Sequence, residues 1–206
     1  MDGVIFQHTN FWMQLHKAFG TLEEGVELTK KYLRIDYLKL VKEVIGRLWK
    51  GKPSKIYLDL VKNAEYNKNV KETIEELRKK GYNICLITSG PYDLAKRASG
   101  ELGIEDIYAN KLLHDDKIVT GEYFENGKYC WEIGFENKLP FLEKICEKLN
   151  IKLDEVIAIG NDDNDLLKFE AVGMSIAFNT TCKELRDIAD AVVEGNDLKN
   201  ILKFIP

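Results

Sequence analysis

Four short stretches of the sequence carry polar side chains suited to chemistry on an anion. Asp2 lies in "MDGV", Ser89 and Gly90 end "ITSG", Lys138 precedes "LPFLEKI", and residues 161–165 read "NDDND". Oxygen ligands are the ones that Mg²⁺ prefers. Phosphoryl transfer depends mainly on positioning and on fixed donors and cations around the phosphoryl oxygens. These residue types therefore indicate chemistry on a phosphate ester with the help of a divalent cation.

The hydrophobic pattern predicts elements that would bring these residues together. The apolar runs "NICLIT", "EVIAIG" and "MSIAF" predict buried strands, and amphipathic helices separate them. This alternation predicts an α/β fold with a doubly wound, Rossmann-like parallel sheet covered on both faces. Ligands bind beyond the carboxyl ends of such strands, which is where residues 89–90 and 161–165 fall. Between the first two runs, "IYANKLLHDDKIVTGEYF" alternates and contains turn pairs, so we expect small antiparallel strands there.

The segment before residue 60 has no strand pattern. From Gln14 onward, apolar residues recur at spacings of three and four, as in an amphipathic helix. We therefore expect residues 1–8 and 70–206 to form the α/β core and residues 9–69 to form a small inserted helical cap.

Composition limits the classes of function. The chain has 206 residues, 45% hydrophobic content and a net charge of −4. An acidic chain with interspersed lysines argues against a nucleic-acid partner. We expect no membrane association, since no apolar run approaches the roughly 18 residues that a span needs. The four cysteines lack metal-site spacing and indicate reduced thiols in a cytoplasmic protein.

The four stretches also carry a family resemblance. In this order and spacing, "MDGV", "ITSG", "ENKLPFLEKI" and "IAIGNDDND" resemble the motifs of the haloacid dehalogenase-like superfamily, most closely its phosphoserine phosphatase branch. The likeness includes "YANKL", "TGEY" and the closing "ELRDIADAVVEGNDLKNILKFI". It implies Mg²⁺-dependent hydrolysis of a small phosphorylated metabolite through an aspartyl phosphate.

The resemblance also implies roles for individual residues. Asp2 matches the general acid and base, while Ser89 and Lys138 match the groups that bind the phosphoryl oxygens. Gly90 and Asn164 match neighbours of the substrate phosphate. The implied metal ligands are Asp2, Asn161 and Asp165.

Two departures from the family pattern bear on activity. The family's first motif is DxDGT or DxDGV, and its nucleophilic first Asp would precede Met1, since Asp2 matches the second Asp. We expect the nucleophile and its strand to lie upstream of this start, through a misplaced start or a trimmed chain; a truly short, inert protein is the alternative. Without that central strand, two neighbouring strand edges would be unpaired, which is costly. Asn161 also replaces the usual metal-binding Asp with a neutral ligand.

The substrate is expected to differ from phosphoserine. Aligning Asp2 with the motif puts Thr9 where the branch has a Glu for the amino group. A looser alignment puts Val44 near the Arg that binds the carboxylate, with Arg47 one turn away. Another small phosphate ester is therefore expected in a pocket shaped by His8, Thr9, Asn10, Trp12 and Arg47.

Plainer explanations exist for each stretch. Asp2 could be a disordered terminal residue, Ser89 and Gly90 a helix-capping turn, Lys138 a surface lysine, and 161–165 a helix N-cap. The three tryptophans are expected to pack, and His16 to lie at the surface or at a pocket edge.

Two further functions stay open: a catalytically inactive module that binds a phosphorylated ligand or a protein, and a dehalogenase or phosphotransferase of the same superfamily. All of these hypotheses of activity require the four stretches to meet at one edge of the sheet.

Overall fold

The computed structural model describes residues 1–134 and 138–206 of the chain. Its helices are α1 (Phe11–Ala18), α2 (Leu22–Tyr32), α3 (Tyr37–Glu43), α4 (Ser54–Asn63), α5 (Val70–Lys79), α6 (Tyr92–Leu102), α7 (Leu139–Leu149), α8 (Leu166–Ala171) and α9 (Lys183–Ile188). Its strands are β1 (Cys85–Pro91), β2 (Asp106–Asn110), β3 (Phe124–Glu125), β4 (Lys128–Tyr129), β5 (Ile157–Gly160), β6 (Met174–Phe178) and β7 (Ala191–Val193). Short 3₁₀ turns occur at Leu153–Glu155, Asp163–Asp165 and Leu198–Lys203.

Helices α1–α4 occupy the segment in which the sequence predicts a cap. Asn10 caps α1 by accepting a hydrogen bond from the backbone N–H of Met13 at 3.1 Å. Asp36 caps α3 in the same way, at 2.9 Å from the N–H of Lys39. After α3 the chain continues as a π-helix over Val44–Trp49. The division of the chain into a core and a cap at residues 9–69 stays a prediction.

The strands form parallel sheets, which confirms the predicted α/β fold. Strand β1 pairs with β2, and β6 lies between β5 and β7, all in parallel. The expectation of antiparallel strands from residue 107 onward was wrong at its start, because β2 joins the parallel sheet. Strand β2 pairs with β1 alone among the described strands, and residues 106–109 are all half-buried, so this strand lacks the continuous apolar run typical of a central parallel strand. Antiparallel pairing begins with an isolated bridge between His114 and Val119 and continues in β3 and β4, as the sequence predicts for this part of the segment.

An apolar cavity of about 350 Å³ separates the two parallel sheets. Cys85 and Ile87 of β1 line it on one side, Ile157 and Ile159 of β5 line it on the other, and Met1 also contributes. Within residues 1–134 and 138–206, β1 pairs only with β2, and β5 only with β6. The cavity has the position expected of a central strand between β1 and β5.

None of the helices in the described part of the chain is long and apolar enough to cross a membrane.

Candidate active site

Asp2 is held at the start of a tight loop. Its Oδ2 accepts a hydrogen bond from the N–H of Phe11 at 2.8 Å, and its Oδ1 lies 3.2 Å from Nε2 of His8. Burial acts to raise the pKa of Asp2, but the hydrogen bond and charge of His8 outweigh it and lower that pKa. The side-chain amide of Asn67 donates to the carbonyl oxygens of Gly3 and Val4 and so fixes the loop. Asp2 is therefore an oriented carboxylate that is ionised at neutral pH.

Ser89 and Gly90 lie at the carboxyl end of β1, next to Asp2. A Cβ on Gly90 would lie 3.4 Å from Oδ1 of Asp2, which shows how closely the two segments approach. The backbone N–H of Gly90 donates to Oγ1 of Thr88 at 2.9 Å. The carbonyl oxygen of Ser89 accepts hydrogen bonds from the side chains of Trp12 and Asn110. These contacts fix the backbone of the loop, while Ser89 itself lines a pocket.

Lys138, Asp165 and Lys168 form a buried ionic cluster. The Nζ atoms of both lysines lie within 2.9 Å of Oδ1 of Asp165, and all three residues are at most 9% exposed. Burial alone would raise the pKa of Asp165, but the charges of the two lysines lower it well below its ordinary value. Lys138 also donates to Oδ1 of Asn164 at 2.6 Å. Burial lowers the pKa of Lys138, and the charge of Asp165 opposes that shift. With both lysines protonated, two ammonium groups face one carboxylate, and the cluster has an excess of one positive charge, which suits the binding of an anion.

Asn161 joins this cluster to the Asp2 loop. Its N–H donates to Oδ2 of Asp165 at 3.1 Å, and its carbonyl accepts from Oγ1 of Thr180 at 2.5 Å. Its side chain packs directly on Gly3, where a Cβ would lie 2.1 Å from Nδ2 of Asn161. Gly3 has a φ of +70°, so both its conformation and this close approach require glycine.

The structure thus brings the predicted site residues to one edge. Asp2 adjoins Gly90, Asn161 adjoins Gly3 and Asp165, and Lys138 adjoins Asn164 and Asp165. Ser89 and Asn164 line the same pocket of about 350 Å³. The roles predicted for these residues stay predictions. Asn137, where helix α7 was expected to begin, lies outside the described residues.

The donor set fits Mg²⁺ only in part. The side chain of Asn161 and the peptide groups around Asp2 offer oxygen atoms, which are the donors that this ion selects. Both carboxylate oxygens of Asp165 already accept hydrogen bonds. Among residues 1–134 and 138–206, no group of three His, Cys, Asp or Glu side chains is arranged to hold a metal ion. The described residues supply part of a magnesium site rather than a whole one.

The pocket extends from this edge to the helices that precede residue 50. All three tryptophans of the chain line it, as does His16, which is only 2% exposed. Val44 lines it too, whereas Arg47 forms ion pairs with Glu24 and Glu43 and is absent from its wall. Of the five residues expected to shape the pocket, Asn10 and Trp12 line it, and the expectation was wrong for the other three: His8, Thr9 and Arg47. His8 contacts Asp2 instead, and nearby carboxylates hold the side chain of Arg47 elsewhere.

Several residues that support the site were not predicted. Lys168 shares Asp165 with Lys138, Thr180 holds the carbonyl of Asn161, and Asn110 holds the carbonyl of Ser89. Asn110 ends strand β2 and Thr180 follows strand β6. Their position at the carboxyl ends of parallel strands could therefore have identified them as site residues from the sequence. Lys168 lies three residues after Asp165, on the same face of a helix.

Comparisons with known proteins agree with this geometry. A family model described as haloacid dehalogenase-like hydrolase matches residues 104–205. A phosphoserine phosphatase of Methanocaldococcus jannaschii is 30% identical over 197 residues, covering 93% of this chain and 89% of the relative. One of Campylobacter jejuni subsp. doylei is 34% identical over 195 residues, covering 93% and 90%.

Solved structures show the same likeness. A substrate-bound phosphoserine phosphatase superposes with a TM-score of 0.83 at 26% identity, over 100% of this chain and 95% of the other. A phosphoserine phosphatase in apo form gives the same TM-score at 27% identity, over 100% and 96%. With the parallel sheets and the convergence of four sequence motifs at one edge, these matches show that the chain belongs to the haloacid dehalogenase-like hydrolases, in their phosphoserine phosphatase branch.

Proposed function

We propose that this protein is a phosphatase that hydrolyses a small phosphomonoester with Mg²⁺ as cofactor. The observation that carries the proposal is the position of Asn164, which accepts a hydrogen bond from buried Lys138 at 2.6 Å and lines the same pocket as Ser89. The proposal places the phosphoryl oxygens between the hydroxyl group of Ser89 and the ammonium group of Lys138 behind Asn164. The excess positive charge of the Lys138–Asp165–Lys168 cluster favours a dianionic phosphate over a neutral ligand.

Asp2 has the proposed role of general acid and base. The N–H of Phe11 and the ring of His8 both contact the carboxylate of Asp2, so this carboxylate has a fixed orientation and cannot rotate freely. Asp2 is ionised in the free protein, and the negative charge of an ester bound beside it would raise its pKa and let it take up a proton. In the first step this protonated form gives the proton to the leaving ester oxygen as the bond from phosphorus to that oxygen breaks. In the second step it takes a proton from the water that attacks phosphorus.

The proposed nucleophile is a carboxylate carried by a strand ahead of Met1. The cavity between β1 and β5 has room for such a strand, and Met1 lines that cavity near the carboxyl ends of the neighbouring strands. The carboxylate would form a bond to phosphorus and be released by water, so that an aspartyl phosphate forms and breaks down in each turnover.

Asp2, Asn161 and Asp165 are the proposed contributors to the magnesium site. When bound, the cation would neutralise charge on the phosphoryl group. An oxygen of the upstream carboxylate would complete the partial donor set found among the described residues. Asn161 in place of a carboxylate lowers the charge of the site and predicts weaker binding of the ion.

A binding module without turnover is the second candidate. It is favoured by the lack, among residues 1–134 and 138–206, of a three-residue metal cluster. Such a protein would still bind phosphate through Ser89 and Lys138.

A phosphatase assay on three proteins separates the candidates. The first is the chain as it stands, the second carries an N-terminal apolar strand ending in Phe-Asp, and the third carries the same strand ending in Phe-Asn. We expect Mg²⁺-dependent release of phosphate from a generic phosphomonoester by the Phe-Asp protein alone. Equal inactivity of all three proteins, with phosphate still raising their melting temperatures, would favour the binding module.

A further inference from the structure

We infer that the pocket takes a phosphomonoester whose organic part is small, aromatic and uncharged, an inference that rests on the proposed function. The phosphate would lie at the Ser89 and Asn164 end, and the organic part would extend toward the helices that precede residue 50. The pocket volume, about 350 Å³, is at the lower end of the range for small-molecule sites. A single ring with short substituents is the size of group that it suits.

The wall of the pocket is aromatic. The ring centroid of Trp12 lies 4.8 Å from that of Trp131 and 5.7 Å from that of Trp49. These distances are typical of favourable aromatic pairs. Tyr37 and a row of aliphatic residues complete the wall: Leu40, Val41, Val44 and Ile45. An aromatic ring is the ligand group that gains most from such a surface, through both burial and ring contacts.

Charged groups are confined to the phosphate end of the pocket. Among the described residues that line it, Arg34, Asp162 and Asp163 carry charge, and Arg34 is paired with Asp163 at 2.8 Å. His16 lines the pocket as a neutral ring, because burial lowers its pKa to about 4. The ammonium and carboxylate groups of an amino-acid ester would lose water here without gaining a matched partner along the apolar wall.

Intrinsic fluorescence offers a direct test on the protein as it exists. The chain has three tryptophans, and all of them line this pocket, so the signal reports on this pocket alone. Four probes are titrated: inorganic phosphate, phosphoserine, benzyl phosphate and benzyl alcohol. We expect benzyl phosphate to bind at least about tenfold more tightly than phosphoserine and inorganic phosphate, since burying one ring is worth about 1.5–3 kcal/mol. Benzyl alcohol should also bind, though more weakly.

The outcomes separate this inference from the function on which it rests. Phosphoserine binding as tightly as benzyl phosphate, or no binding of benzyl alcohol, would overturn the aromatic assignment. Failure of inorganic phosphate to bind, with benzyl alcohol still bound, would instead overturn the phosphate site and leave the aromatic pocket in place.

Discussion

Asp165 is the residue on which the charge balance of the site depends. It is 3% exposed and faces two ammonium groups, those of Lys138 and Lys168. Its lowered pKa means that it is ionised in the folded protein at every pH at which the protein is ordinarily handled. Its stabilising contribution is present above the ordinary Asp pKa of 3.8 and is lost only as the pH falls toward the much lower folded value.

Asp165→Asn is expected to destabilise the fold by about 3–5 kcal/mol. The amide keeps the shape but removes the charge, which leaves two buried lysines uncompensated. Urea unfolding at pH 7 measures the change. Asp163→Asn is the matched control, because Asp163 pairs with Arg34 at the surface and such pairs are worth about 0–1 kcal/mol. Equal losses in the two variants would contradict the importance of the buried cluster.

His16 gives the protein a second pH-dependent residue. Its pKa falls from 6.5 to about 4 because of burial, and its Nδ1 accepts a hydrogen bond from Nε1 of Trp49. Between pH 6.5 and 4 the unfolded chain binds a proton that the folded protein does not, so stability decreases as the pH is lowered.

We expect this loss to reach about 3 kcal/mol by pH 4, at roughly 1.4 kcal/mol for each unit of pKa difference. In His16→Gln this contribution to the pH dependence of stability should be absent, whereas the control variant His114→Gln should keep it. Urea midpoints at pH 7, 6, 5 and 4 measure the slopes. Parallel slopes for the unmodified protein and His16→Gln would show that His16 is not the source.

At the scale of elements, α2 packs closely against the histidine of α1. Gly25 lies within α2, and a Cβ there would lie 2.3 Å from Cε1 of His16. The ring of His16 cannot move aside easily, because it is buried against Trp49 with ring centroids 4.6 Å apart. Glycine in this helix is therefore required by packing rather than by backbone conformation.

Gly25→Ala is expected to destabilise the protein by about 1–3 kcal/mol, the usual cost of overpacking. Replacing Gly by Ala inside a helix normally stabilises a protein, so a loss of stability would show that the close packing against His16 outweighs helix propensity. Gly100→Ala in α6 is the control: a Cβ there meets nothing within 4 Å. That variant should be more stable by about 0.5–1 kcal/mol. Thermal or urea unfolding compares the two, and a stabilising Gly25→Ala would refute the packing argument.

At the scale of the whole molecule, the cavity between β1 and β5 divides the sheet. Its walls are mostly apolar, with Asp106, Glu155 and Lys168 among the lining residues, and each strand pairs on one side only among the described residues. A strand placed there would pair with both edges and bury the lining side chains.

An N-terminal extension by a Val- and Ile-rich strand about as long as β1 should therefore raise the urea midpoint. The control has the same composition with prolines at alternate positions, which cannot donate to the sheet. The expected difference is several kcal/mol, from the pairing of two edges at about 0.5–1.5 kcal/mol for each hydrogen bond. Equal midpoints for the two extensions would show that the cavity does not accept a strand.

Much of the fold was predictable from local pattern. The apolar runs that became β1, β5 and β6 are short and continuous. Gly81 and Gly103, both with positive φ, lie just beyond the ends of α5 and α6, where glycine is the usual residue that ends a helix. Strand β2 was misassigned because it is a half-buried strand that lacks the continuous apolar run of a central parallel strand. The meeting of Ser89 and Asn161 followed from the rule that parallel strands end at one edge, whereas Asp2 and Lys138 were expected there because of the motif resemblance.

By itself, the sequence determined the family, the order of most elements and the polar residues at the strand ends, because these depend on spacing along the chain. The tertiary structure alone decided which partners each side chain has. It joined Lys168 to Asp165, drew Arg47 to two carboxylates, and gathered three tryptophans around one pocket. The physical reason is that burial and charge pairing depend on contacts between residues far apart in the chain, and no local pattern records them.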